Sequence, residues 1–426
     1  MKFFLYNAAI ILGLSSTMAS AIEYIPESNP NLLLKLDGVF NFQSGFLSQG
    51  KLQGDEKLVS ANRKGFAFYT ESYFGATIQQ TSDSIIYGAK IALIPTSKLK
   101  TSSSLNGSHI FLESEFGKIE IGSPHDAGSK MRIIADDITA GGDWSRYSKL
   151  DGSYMKYQGL PAEVIDYKEY FFDSTFRTKL NQIHDKAEPS RKISYYTPNY
   201  MGLRFGVSYI PDSGNAGSSL ASSSSAGIQN AKIPNTANSY IINRNVRNAF
   251  SLGLSYDYNI SDGIDLMLAA TGEYGKAAGN IKLVENAGTP TEKILDQDKL
   301  SNLKTYNLGS TLNYGNFSYG ASYGTLNKSL TSDAFNKNGR NTRYYNGAVA
   351  YNQGPVKVSL SYFKSNQYKN KLDAISLGSE YKLAPGLLPY AEISHFRAKG
   401  KPSFYPEAPD KKIKGTVAVL GAKLKF

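Results

Sequence analysis

Alternating polarity recurs along almost the whole chain. Leu203, Phe205, Val207 and Tyr209 share one face, with Arg204, Gly206 and Ser208 between them. Phe250, Leu252, Leu254, Tyr256 and Tyr258 alternate with Ser251, Gly253, Ser255 and Asp257. Phe317, Tyr319, Ala321 and Tyr323 oppose Ser318, Gly320, Ser322 and Gly324 in the same way. Val356, Val358, Leu360 and Tyr362 oppose Lys357, Ser359 and Ser361. A period of two puts one set of side chains on each face of a β-strand. Here the apolar face ends in tyrosine, while the other face is small and polar. A soluble sandwich would also alternate, but its outward face would carry more charge.

The connections between these segments come in two kinds. Short ones fall at 199–202, 261–263, Gly315-Asn316, Gln353-Gly354 and Pro385-Gly386, all rich in turn-forming residues. Long ones span 212–247, 277–302, 327–342 and 399–412. An up-and-down transmembrane barrel, with tight turns on one rim and surface loops on the other, predicts that alternation of short and long. The pattern gives an all-β, closed antiparallel transmembrane β-barrel of about sixteen strands, with the fourth and fifth meeting near Phe116-Gly117-Lys118. The 212–247 stretch, which contains Ser222-Ser223-Ser224-Ser225, reads as a mobile surface loop without chemistry of its own.

The two ends of the chain support a barrel. Lys2, an apolar run at 8–14 and the small residues Ala19 and Ala21 make a secretory signal over residues 1–21, cleaved after Ala21. That run is too short to cross a bilayer as a helix. At the other end Ala418, Leu420, Ala422 and Leu424 share one face up to Phe426, with Lys423 and Lys425 between them on the other. A terminal aromatic suits a strand that ends at a membrane interface. Residues 22–426 then form one barrel domain.

Composition narrows the alternatives. There is no cysteine, so an exported chain of 426 residues has no disulfide framework. Thirty Tyr against one Trp, with 39 Gly, fits aromatic girdles and glycine-rich turns better than a soluble enzyme. The formal charge is +11, or +10 once Lys2 leaves with the signal. For an exported protein that balance favours an anionic membrane surface or anionic solutes over nucleic acid. His109, His125, His184 and His395 have no metal-ligand spacing, and no GxSxG, HExxH or P-loop motif occurs. Neither an enzyme nor a cofactor is expected.

Two stretches go beyond periodicity: SHIFLESEFGKIEIGS at 108–123 and KISYYTPNYMGLRFGVSYIPD at 192–212. Together with IYGAKIAL at 86–93, they resemble the paired signatures of the Gram-negative general porin family. There a strand, a glycine corner and a further strand lead into a long third loop folded into the pore. The resemblance implies a homotrimeric outer-membrane porin that passes small hydrophilic solutes and ions by diffusion. It implies contacts with outer-membrane lipids and lipopolysaccharide, and an assembly machinery that reads Phe426. The inward loop would be 124–190, which is long for the family.

Carried over by position, the loop acids are Asp136, Asp137 and Asp143, within RIIADDITAGGDW. Opposed charges across confined water would orient dipolar solutes and set ion selectivity. Strand parity turns His109, Glu113 and Glu115 inward, and likewise Lys90, Lys192 and Arg204. The family tends to place a basic residue where Ser194 stands, a role that Lys192 or Arg191 would take here. Arg63, at a rim, and Arg132, inside the loop, are further basic candidates for the wall. The alternatives are a substrate- or anion-specific channel, favoured by the positive charge, and a plugged surface barrel acting as adhesin or scaffold. A barrel enzyme lacks a plausible triad, and a gated siderophore transporter lacks a plug domain.

Deleting Phe426 tests its role as an assembly address. In cells the truncated chain should accumulate unassembled, while refolding of the purified chain in detergent should change little. Normal assembly in cells would contradict that role.

Overall fold

The computed structural model describes residues 21–49, 66–94, 104–142, 190–213, 228–232, 237–243, 245–332, 342–367, 370–400 and 411–426. Sixteen antiparallel strands close on themselves. They are β1 Leu32–Gln49, β2 Phe66–Ser82, β3 Ile85–Ile94, β4 Ser104–Ser114, β5 Gly117–Gly122, β6 Lys192–Tyr196, β7 Leu203–Asp212 and β8 Val246–Ser261. The ring continues through β9 Ile264–Ala277, β10 Leu303–Tyr314, β11 Phe317–Asn327, β12 Thr342–Gln353, β13 Val356–Gln367, β14 Asn370–Tyr381, β15 Leu387–Gly400 and β16 Lys411–Lys425. Each pairs with its neighbours in sequence, and β16 pairs with β1 from Gly415 opposite Gln49 to Lys425 opposite Val39. β4 and β5 meet across a two-residue turn at 115–116, as the sequence pattern predicts.

The seam shows how closure is completed. Beyond the last β16 pair, Phe426 N–H donates to the Gly38 carbonyl at 3.1 Å, and Gly38 N–H donates to the Phe426 carbonyl at 2.8 Å. The Phe426 ring covers Gly38 and stacks on Phe40, with centroids 5.9 Å apart. Past that rung the short strand Ile22–Tyr24 takes over the same edge of β1, pairing with Leu34–Leu36. Lys35 and Glu23 form an ion pair there at 2.9 Å. An unpaired edge inside a bilayer would leave N–H and C=O groups without partners, so this edge is fully occupied.

The outer surface carries the apolar residues. Phe42, Phe68, Ile110, Ile193, Leu308 and Leu420 are each half exposed or more, as expected of side chains that meet lipid rather than a protein core. Aromatic residues gather at two heights. Tyr209 packs on Phe250 and Tyr323 on both Tyr306 and Tyr345 towards the long-connection rim. Phe317 packs on Tyr319 and Tyr351 beside the short turns. Those turns use left-handed glycines at Gly315 and Gly354, with φ of 55° and 56°.

Two expectations about the connections need correction. The 212–247 stretch is not wholly loop: Ile228–Lys232 and Asn238–Asn243 form a hairpin. It joins Asn280–Glu285 and Lys293–Lys299 in a four-stranded sheet outside the barrel, with Ile242 opposite Ile281. Val284 and Ile281 are buried in that sheet, so apolar burial overrides the low local complexity. The alternation of short and long connections also fails once, because only two residues, 368–369, join β13 to β14 on the long-connection rim.

Candidate functional site

The chain leaves β5 and turns into the barrel, where residues 124–142 run along the inner wall as a belt. The helix α1, Ala127–Met131, is capped by Asp126, whose carboxylate accepts from Ser129 N–H at 3.1 Å. The wall supplies acceptors for the belt backbone. Ala127 N–H donates to Ser208 Oγ at 2.8 Å, Gly128 N–H to Ser251 Oγ at 2.9 Å, and Ala140 N–H to Ser359 Oγ at 2.8 Å. Ala135 N–H reaches Ser322 Oγ at 3.3 Å, and the Ser251 hydroxyl donates to Asp126. Buried bonds of this kind contribute about 1 kcal/mol each.

Between the serines lie glycines, because the belt leaves no room for side chains. A β-carbon at Gly253 would stand 2.7 Å from Met131 Sδ, and one at Gly206 2.6 Å from the same sulfur. At Gly309 it would collide with the Ile133 carbonyl oxygen, and at Gly378 with that of Ala140. These glycines and serines are in register across strands, with Asn346 and Glu392 in the same rows: Ser194, Ser208 and Ser251; Gly206 and Gly253; Gly309, Ser322 and Asn346; Ser359, Gly378 and Glu392. They form a shelf from β6 to β15. Its far end is Gly141, where a φ of +106° turns the backbone past Glu392 and Lys423 Nζ donates to the Gly141 carbonyl at 2.6 Å. Gly142 then lies against Tyr390 and Gln43.

A profile of the Gram-negative porin family matches residues 8–401. The chain belongs to that family. It is 49% identical to an uncharacterised protein of Rickettsia conorii and 48% identical to one of Rickettsia prowazekii, over the full length of both chains in each case. In fold it is similar to a loop L8 deletion mutant of OmpT, an outer membrane protein of Vibrio cholerae. The TM-score is 0.53 with 13% identity, over 93% of this chain and 100% of that one. Family and barrel together make this an outer-membrane channel protein.

Around the porin lumen, charge collects in three places. At the root of the belt, Glu120 is 4% exposed and holds Lys130 of α1, with Lys118 at 3.5 Å and His109 Nε2 at 3.9 Å. Lys118 also approaches Glu113 at 3.8 Å and lies over the Phe111 ring. Burial draws the Lys130 pKa below that of an ordinary lysine, and Glu120 opposes the fall. Lys90 pairs with Asp37 at 3.1 Å on β3 and β1. On β13–β16, Lys423 pairs with Glu380 at 3.3 Å and lies over the Tyr390 ring. Lys357 and Lys425 share the inner face with that pair, Lys357 directly opposite Glu380.

The residues singled out in the sequence fall unevenly on this frame. Lys90, His109 and Arg204 stand on inner faces, Arg204 within electrostatic reach of Asp257. Lys192 is inward but is not a lumen cation. It is 2% exposed and donates to the carbonyls of Pro124 at 2.8 Å and Ser190 at 3.0 Å, so it fastens the belt where it leaves the wall. Arg191 is exposed beside it. Arg132 and Gly128 close a small gap over Thr271, Glu273, Thr305 and Asn307. Asp136 accepts from Asn346 Nδ2 at 3.2 Å, and Asp137 from Ile134 N–H at 2.9 Å within the 3₁₀ turn Ala135–Ile138. Both acids are half-buried, so each helps hold the belt as well as charging it. Arg63 and Asp143, with the rest of the proposed loop up to 189, lie outside the described residues, as do signal residues 1–20. The sequence reading missed Lys357, Glu380, Lys423 and Lys425, although parity alone puts Lys423 and Lys425 opposite the apolar Leu424 face.

Gly309→Val tests the shelf. The added side chain must lift the belt at Ile133, which should destabilise the folded protein by about 1–3 kcal/mol in detergent unfolding and change single-channel conductance. Gly347→Ala is the control, since nothing stands within 4 Å of a β-carbon there. Equal stability of Gly309→Val and wild type would mean that the belt does not press on the wall.

Proposed function

We propose that this porin is a passive diffusion channel for small hydrophilic solutes and ions, exported through the 1–21 signal and assembled as a homotrimer. The observation that carries the channel reading is the course of the belt. Residues 124–142 lie flush on a wall of serine and glycine instead of crossing the barrel, so this part of the loop charges the lumen without obstructing it. The work of such a pore is sorting by size and by the field across confined water, with no bond chemistry. Asp136 and Asp137 supply negative charge on the belt, and Lys357, Lys423 and Lys425 supply positive charge on β13–β16.

A second reading, an anion-specific channel, is favoured by the lysines Lys357, Lys423 and Lys425 gathered on that stretch of inner wall. Planar-bilayer recordings separate the two. Ohmic currents with no solute block support general diffusion, and saturable block by one anion supports the specific channel. Folded protein with no conductance would contradict both.

Charge substitution refines the account. Asp136→Asn with Asp137→Asn should shift the reversal potential towards anions, and Lys357→Gln with Lys425→Gln towards cations. An unchanged reversal potential in either pair would remove those residues from the conducting path.

A further inference from the structure

Glu120 is a single buried carboxylate set among several cationic groups. It projects from the inner face of β5, with Phe111 directly opposite on β4 and Ser194 directly opposite on β6. Both neighbours are buried, and the Glu120 side chain is 4% exposed. Lys130 of α1 donates to its carboxylate, with Lys118 at 3.5 Å and His109 Nε2 at 3.9 Å.

The other charged groups nearby are engaged elsewhere. On β3, Lys90 lies within electrostatic reach of His109 and pairs with Asp37. On β4, Glu113 stands 3.8 Å from Lys118. On α1, the Asp126 carboxylate accepts from Ser129 and Ser251. On β6, Lys192 is turned to the Pro124 and Ser190 carbonyls, and the Tyr196 ring lies 5.2 Å from the Lys130 ammonium. Among the described residues, Glu120 is the one carboxylate that Lys130 pairs with.

That pairing decides where a positive charge sits. Lys130 belongs to the last turn of α1, on a belt that borders the lumen, and its side chain is long and flexible. It is nevertheless drawn back against the wall, with its side chain 22% exposed. An ammonium held on its counter-ion adds little to the field across confined water, whereas the same ammonium released adds a full charge. Removing one partner of a buried ion pair leaves the other uncompensated, and a side chain of this length relieves that cost by moving to water.

We propose that Glu120 is a positioning residue for permeation: it holds the Lys130 ammonium against the wall and so keeps a positive charge out of the conducting path. This role presupposes the channel reading, in which charge along the belt sorts ions. It differs from that of Asp136 and Asp137, which act by charging the belt themselves. Acid works in the same direction as removing the carboxylate. Protonation of Glu120, with His109 gaining a proton, leaves cations facing one another, and Lys130 then leaves the wall.

Two readouts on the whole folded protein test this, and the first needs no current. A water-soluble amine-acylating reagent, with mass spectrometry of the peptides, should label Lys130 about ten-fold faster in Glu120→Gln than in wild type, the factor that loss of one charge-assisted hydrogen bond implies. Lys293, exposed on the surface sheet, should label equally in both. In planar bilayers the reversal potential of Glu120→Gln should shift towards anions. Adding Lys130→Gln should restore the wild-type value, a rescue that a merely structural role for Glu120 does not give. Acidification should move the wild-type reversal potential further than that of Glu120→Gln, whose remaining change belongs to Asp136 and Asp137. Should Glu120→Gln fold poorly, Glu120→Asp keeps the charge, shortens its reach and should give smaller shifts in the same direction. Equal labelling of Lys130 in variant and wild type, or a shift that persists once Lys130→Gln is added, would overturn the positioning role. Folded wild type without current would contradict the channel reading itself, an outcome told apart by Lys130 labelling that still responds to Glu120.

Discussion

Everything inside this barrel depends on the absence of side chains along one inner shelf. The belt backbone lies so close to the wall that a β-carbon at Gly309 or Gly378 would strike a belt carbonyl, and those at Gly206 and Gly253 would strike Met131. The neighbouring serines are short enough to fit the same gap and polar enough to receive the belt's N–H groups. Each choice answers one physical demand. Backbone brought against a wall must find partners for its amides, and it must find space. Serine meets the first demand and glycine the second, and the strand register brings both to the same height on neighbouring strands.

That shelf changes the meaning of the small polar face seen in the alternating segments. Periodicity shows that Gly206, Ser208, Ser251, Gly253, Gly320 and Ser322 share the face opposite the tyrosines, and that is enough to orient the strands. It does not show that a second layer of chain rests on them, because a water-filled lumen would be served by the same residues. The barrel was legible because lipid exposure and the turn rhythm are local signals. The role of Lys192 was not, because parity says which way a side chain points and nothing of what it meets. Only the fold brings the Pro124 and Ser190 carbonyls to its ammonium. The surface hairpin at 228–243 was hidden for a related reason: its partner strand lies about forty residues away, in the next long connection.

The same register logic governs charge. Inside, the two wall clusters set basic groups beside carboxylates: Glu120 for Lys118 and Lys130, Glu380 for Lys423 and Lys357. Such pairing suits groups confined beneath a belt, where an uncompensated charge would be expensive. Outside, at the rim of β13–β16, lysines face lysines.

The central claim is that residues 124–142 form a fixed layer on the wall. The chain contains no cysteine, so a single engineered pair reports on this directly. Ala140→Cys with Ser359→Cys puts a thiol on each of two residues that already touch, the Ala140 amide donating to the Ser359 hydroxyl at 2.8 Å. Mild oxidation of the folded protein should close the disulfide, and conductance in planar bilayers should be the same before and after reduction. Failure of the pair to cross-link, or a conductance that changes on reduction, would mean that the belt leaves the wall and that the pore is shaped by its movement.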